Sequence, residues 1–315
     1  MLRAFILGVV QGLTEFLPIS SSAHLAIVPR LLGYPAPTLS FEVFLHFGTL
    51  AAVVAYFARD LAGFVVALVA PSRIGAAEAA VRRRLVLLLA LASVPAAVFG
   101  YLLQNWADEQ TQQALRASVW MVATTAIMIA AELYARGHGP VVPVVAEQDL
   151  AARTGQAAGG PAGGSAAAAP AAGRRAQAAA DPSSAEQELE RLPPTKALGV
   201  GLAQALALVP GTSRSGVTIS AGLFEGVTRE AAARFSFLLS IPAILGAGIL
   251  KLGELDAAGE SAAELVVGFS AAAVAGFLAV SGLLRLLRTH TLWPFIWYRL
   301  VAGSAFVLLL ATVRK

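Results

Sequence analysis

Glu15 stands four residues after Gln11 within an apolar stretch, a spacing that puts both side chains on one face of a helix. A carboxylate and an amide oxygen so placed suit Mg²⁺ or Ca²⁺, hard cations that take oxygen ligands and often share their shell with substrate phosphate. Gln11 and Glu15 are therefore the expected metal ligands, and a divalent cation the expected cofactor. Ser20, Ser21, Ser22 and His24 follow a break at Pro18. Taken singly, serines after a break are commonly caps and a lone histidine commonly packs, but here they lie within ten residues of the carboxylate. A second cluster runs Pro210-Gly211-Thr212-Ser213-Arg214-Ser215-Gly216-Val217-Thr218. Gly211 lets backbone approach an anion, Thr212, Ser213, Ser215 and Thr218 offer hydroxyls at a helix start, and the planar fork of Arg214 fits phosphate. The two clusters together make a sufficient set for metal-assisted phosphoryl hydrolysis.

The elements that must hold these groups are apolar. Of 315 residues, 57% are hydrophobic and 13% charged, and the mean hydropathy is +0.71, values that point to a bilayer as solvent. Six runs are long enough to span it: 41–57, 85–103, 115–134, 232–250, 263–284 and 294–312. Residues 1–17 resemble a secretory signal, yet Gln11 and Glu15 interrupt them and no small-residue cleavage site follows, so they are read as mature protein. The absence of cysteine excludes disulfides and thiolate chemistry, and the net charge of +4 gives no reason to expect nucleic-acid binding.

Residues 136–196 change character, with alanine, glycine and proline in low-complexity runs. They are expected to form a disordered cytoplasmic linker between a first unit, 1–135, and a second, 197–315. Each unit opens with a stretch broken at proline and hydroxyl residues, and Gln11 aligns with Gln204 when one residue is allowed before the proline. Five arginines between residues 58 and 84 place that loop inside, whereas Asp108 and Glu109 with no nearby base place 104–114 outside. Three spans per unit then invert the second unit relative to the first. The expected fold is thus all-α and multi-pass: six transmembrane helices plus two re-entrant helical hairpins in an inverted-topology repeat, with the polar residues of both hairpins meeting near the midplane.

At these residues the chain resembles the undecaprenyl-diphosphate phosphatase family, also known as bacitracin-resistance proteins. The resemblance rests on the run from Gln11 to Leu25 and the run from Pro210 to Ser220, with support from His46-Phe47-Gly48-Thr49-Leu50 and Phe235-Ser236-Phe237-Leu238-Leu239. The family's glutamate-rich motif falls on Gln11 and Glu15, its histidine on His24, and its P-G-x-S-R-S-x-x-T motif on Pro210 to Thr218. Gln11 departs from relatives that carry glutamate there, which leaves Glu15 as the one strong acid of the motif. The resemblance implies hydrolysis of undecaprenyl diphosphate to the monophosphate carrier, which is reused in peptidoglycan synthesis, and with it bacitracin resistance. It also implies residence in the bacterial plasma membrane and a membrane lipid as the partner, with a homodimer as the assembly to test. Ser21 or Ser213 as nucleophile, or a water activated by metal or by His24, all fit the sequence.

The rival reading is a polyprenyl-phosphate flippase or transporter, because paired hairpins are also transporter architecture. It does not account for an acid, a histidine, hydroxyls and an arginine gathered in two phosphate-suited motifs. A lipid-phosphate acid phosphatase would need a histidine where this chain has Ser220.

Overall fold

The computed structural model describes residues 1–103, 106, 114–138, 182–251 and 260–313, and every regular element among them is helical. Six helices are long and apolar enough to cross a membrane: α3 (Leu39–Tyr56), α5 (Ala76–Leu102), α6 with α7 (Ala114–Ala123 and Thr125–His138, one span bent at Thr124), α11 (Arg229–Lys251), α12 (Ala262–Leu287) and α13 (Trp293–Val313). All six lie on the apolar runs of the sequence. Most run past them into polar sequence; α5 starts well before residue 85, and Glu78 and Arg82, one turn apart, form an ion pair on its extra turns.

The two interrupted stretches form two helix–break–helix pairs. The first is α1 (Leu2–Phe16) and α2 (Ser21–Leu31); the second is α9 (Pro194–Ala205), extended by a 3₁₀ turn (Leu206–Leu208), and α10 (Arg214–Phe224). No member of either pair reaches the ~20 residues a straight crossing needs.

Small residues seat the first member of each pair. Gly8 and Gly12 of α1 lie on Gly268, Ala272 and Gly276 of α12, so closely that a Cβ on Gly12 would stand 2.6 Å from the Ala272 carbonyl oxygen. Gly201 of α9 lies in the same manner on the backbone of Ala92 in α5. Between helices as apolar as lipid itself, such close backbone approach supplies the packing energy that hydrophobicity cannot.

Two helices fall where the sequence suggests none. Residues 58–84 contain α4 (Ala58–Val69), which buries Phe64 and Ala67 and leaves Val65, Leu68 and Val69 exposed. The expected disordered segment 136–196 is corrected at its end, where Pro182–Glu190 forms α8. Ala185, Leu189 and Leu192, spaced at i, i+4 and i+7, are buried in the core. Glu188 accepts from the Thr228 backbone N–H at 2.8 Å and from its hydroxyl, and Glu186 pairs with Arg234 at 2.6 Å. These residues carry their own apolar stripe, which the alanine- and glycine-rich part lacks. Residues 139–181 lie outside the described residues.

Candidate active site

Both breaks end on a serine in an unusual backbone conformation. Ser20 has φ 75° and Ser213 φ 70°, the only positive values on non-glycine residues among those described. Each caps the helix that follows: Ser20 Oγ accepts from Ala23 N and Ser213 Oγ from Gly216 N. Strain of this kind, about 1–3 kcal/mol per residue, persists only where the surroundings impose it. Here the two breaks brace each other. Ser22 Oγ accepts from Gly211 N at 2.9 Å, and Ser215 Oγ donates to the Leu17 carbonyl at 3.2 Å.

The first residues of α2 and α10 are therefore Ser21 and Arg214, and both reach Glu15. Ser21 Oγ donates to Glu15 Oε2 at 2.6 Å, and Arg214 Nη2 donates to Oε1 at 3.2 Å. Gln11 Nε2 donates to Oε2 at 3.1 Å from one turn earlier. Arg214 is aimed from its other side, where Nη1 donates to the Ser236 carbonyl at 3.2 Å. Thr218 locks the same corner, bonding the Arg214 carbonyl at 2.7 Å and the Ser236 hydroxyl at 2.6 Å. Two of the roughly five N–H donors of Arg214 are so engaged, and the remainder meet no acceptor among the described residues.

Gln11, Glu15, Ser21, Gly211, Ser215, Arg214 and Thr218 thus come together. Thr212 is buried beside them, and its hydroxyl has no partner among the described residues. Ser213 is close by, but its hydroxyl faces its own helix as a cap. His24 is turned away. Its Nδ1 meets the Ser20 carbonyl at 2.7 Å and its Nε2 the Tyr298 hydroxyl at 2.7 Å, with the two rings stacked at 5.8 Å. A carbonyl oxygen only accepts, so Nδ1 carries the proton and Tyr298 donates to Nε2 in the neutral ring. Neither ring nitrogen is free for Glu15 or Ser21.

Three residues outside the sequence-level candidates belong to this site. His46 Nδ1 bonds the Glu42 carbonyl at 2.8 Å, which points Nε2 toward Glu15 Oε2 at 3.7 Å. Ser236 fixes Arg214 and Thr218. Arg299, fully buried, bonds carbonyls of both breaks. Its signal in the sequence is plain in retrospect, since an arginine within an apolar span requires a partner.

Gln11 Oε1 is a buried acceptor without a partner among the described residues, on an amide one helical turn from Glu15 that meets the carboxylate through Nε2. That donor set fits a hard divalent cation. Among the described residues no three His, Cys, Asp or Glu side chains gather as a metal cage. The fit is therefore to a cation that shares its shell with phosphate oxygens and water.

Six apolar helices around a buried carboxylate that is bonded to a hydroxyl and to an oriented guanidinium define a multi-pass helical membrane protein with a buried polar site. The chain belongs to the family described as Bacitracin resistance protein BacA, whose profile matches residues 4–305. It is 40% identical over 309 residues to the undecaprenyl-diphosphatase of Geobacter sulfurreducens, covering 97% of this chain and 96% of that one. The undecaprenyl-diphosphatase of Alcanivorax borkumensis is 39% identical over 318 residues, with 98% of each chain covered. That of Chlorobaculum tepidum is 38% identical over 320 residues, covering 99% of this chain and 98% of its own.

Proposed function

We propose that this protein hydrolyses undecaprenyl diphosphate to undecaprenyl phosphate and inorganic phosphate in the bacterial plasma membrane, recycling the lipid carrier for peptidoglycan synthesis. The observation that carries this reading is the 2.6 Å bond from Ser21 Oγ to a carboxylate whose other oxygen is held by Arg214. Family membership and the names of the relatives support it. In this reading the two helix–break–helix pairs are re-entrant hairpins from opposite faces, related as an inverted repeat. The matched seating of Gly8 on α12 and Gly201 on α5, and the matched serines Ser20 and Ser213, favour that relation.

The chemistry follows from the geometry. Glu15 takes the proton of Ser21 as Oγ attacks the terminal phosphorus, forming a phosphoserine as the bond to the bridging oxygen breaks and undecaprenyl phosphate departs. Glu15 gives that proton up to the departing undecaprenyl phosphate or to solvent. Water then attacks the phosphoserine phosphorus and loses a proton to the emptied carboxylate, which returns it to Ser21 Oγ as the P–O bond breaks and inorganic phosphate is released. Arg214 and the N–H groups at the starts of α2 and α10 stabilise the charge that gathers on the phosphoryl oxygens. Ser213 is a poorer nucleophile in this arrangement because its oxygen is committed to capping α10. Glu15 and Gln11 would hold a divalent cation, which when bound would neutralise diphosphate charge. Transport of the lipid would use the same two breaks but gives no role to the Ser21–Glu15 bond.

The test is rapid quench of purified protein with undecaprenyl diphosphate labelled on its terminal phosphate. Label should appear on protein and then as free phosphate, and Ser21→Ala should abolish both. Absence of phosphate release by the wild-type protein would end the reading. Label that persists in Ser21→Ala and disappears in Ser213→Ala would transfer the nucleophile to Ser213.

A further inference from the structure

Arg299 lies in α13, within the last apolar run, and is 0% exposed. A buried guanidinium normally meets a carboxylate, because an unpaired charge in a low-dielectric interior is costly. Among the described residues none pairs with Arg299. Its partners are neutral oxygens: Thr125 Oγ1 on Nε at 2.9 Å, Thr124 Oγ1 and the Met121 carbonyl on Nη2 at 2.6 and 2.7 Å, and three carbonyls of the breaks. Those three are Pro18 at 3.4 Å in the first break, and Gly211 at 3.5 Å and Thr212 at 3.2 Å in the second.

The carbonyls matter for what lies on their far side. Across a trans peptide the C=O and the following N–H point in opposite directions. With the Thr212 carbonyl turned to Arg299, the Ser213 N–H is turned away from it, and that N–H meets no acceptor among the described residues. The same cation draws on Pro18, just ahead of strained Ser20. The preceding residue of α13, Tyr298, acts on the first break as well, through His24 and the Ser20 carbonyl. One helix thus grips carbonyls of both breaks; the N–H groups that follow Pro18 and Gly211 close turns within their own breaks, on Leu17 and Val209, and the Ser213 N–H alone is left without an acceptor among the described residues.

We propose that Arg299 is a positioning residue for phosphoryl transfer, holding the two breaks in the conformation that presents Ser21, Arg214 and the free Ser213 N–H to the diphosphate. The inference rests on the phosphatase reading for its kinetic consequence, but its geometric consequence can be read without turnover. Lysine offers a point charge with about three donors and no planar fork, so it cannot hold the same set of carbonyls.

The experiment compares wild type with Arg299→Lys in detergent or proteoliposomes, after matching the amount of folded, monodisperse protein. We expect kcat to fall by about 100-fold, the scale of losing preorganised donors, with KM within about threefold. The chain has no cysteine, so Thr212→Cys gives a single reporter in the break. In that background Arg299→Lys should change the rate of reaction with a small methanethiosulfonate severalfold, even if the wild type proves to turn over no lipid. A kcat within twofold of wild type overturns the proposal, as does a fall in kcat matched by a rise in KM with the labelling rate unchanged. If Arg299→Lys does not fold, Thr125→Val replaces it. That variant keeps the cation and removes the oxygen that aims Nε, and the expected kcat loss is about tenfold, with unchanged kcat overturning the proposal.

Discussion

Ser22 and Ser215 each reach across to the opposite break, one accepting from the Gly211 N–H and the other donating to the Leu17 carbonyl. Each sits second in its helix, directly after the residue that bonds Glu15. The cross-links therefore set the distance between Ser21 and Arg214, and with it the span across the shared carboxylate. Ser22→Ala and Ser215→Ala should each lower kcat more than they lower the thermal midpoint. The double variant should lose little beyond the worse single, because the two bonds restrain one displacement; additive losses would show independent roles.

Glu15→Gln should abolish turnover while the protein still inserts. The amide cannot take the Ser21 proton, and it leaves Arg214 without its counter-charge. Phosphate release above about 1% of wild type would remove Glu15 from the role of base.

Arg214→Lys should lose activity by about 100-fold or more, since an ammonium cannot contact Glu15, the Ser236 carbonyl and a phosphoryl oxygen in one plane. Near wild-type turnover would make Arg214 a structural residue.

Chelation by EDTA should suppress phosphate release, with recovery on adding Mg²⁺ or Ca²⁺. Gln11→Leu should weaken the response to the cation by removing the unpartnered amide oxygen one turn before Glu15. An EDTA-insensitive rate would restrict the chemistry to the side chains.

The docking of α8 should depend on pH. Burial pushes the Glu188 carboxyl above the usual carboxylate range, against the lowering effect of its two Thr228 bonds and of Lys196. A carboxyl whose value is raised in the docked state favours docking when protonated, and that contribution is lost as pH rises through the raised value. Hydrogen-exchange protection over residues 184–192 should therefore fall as pH increases from acid toward neutral, and Glu188→Gln should flatten the dependence. Deleting residues 155–180 should leave phosphatase activity intact, because α8 keeps its anchor and closing a shorter loop costs little.

Much of this was legible in the sequence because it is written in composition and punctuation. The six spans are long, predominantly apolar runs, and Pro18 and Pro210 with their flanking hydroxyls mark both breaks. The sequence implied that the polar residues of both breaks converge, but not that Arg214 pairs directly with Glu15, since it suggested a metal for the one and phosphate for the other. The direction of His24 was not legible, because it depends on Tyr298, 274 residues away, which offers the ring a hydroxyl on the side opposite Glu15. Arg299 was visible as a charge in an apolar run, but its partners are backbone carbonyls, which every residue carries and no motif records. The helix α8 escaped notice because the low-complexity character of its neighbours masked a three-residue apolar stripe.

The glycine seams have a consequence for biosynthesis. The partner of α1 is α12, near the opposite end of the chain, and the ion pair of Glu15 is with a residue 199 positions later. At about 5–20 residues per second, a ribosome needs on the order of 10–40 s to supply that arginine. During this interval the nascent first unit holds a carboxylate in or near the bilayer with no guanidinium to meet it and a bare glycine face on α1. It must wait at the interface, or against an insertase, until its complement emerges. Separately expressed segments 1–138 and 182–315 should consequently be recovered only when made in the same cell, each acting as the folding template of the other.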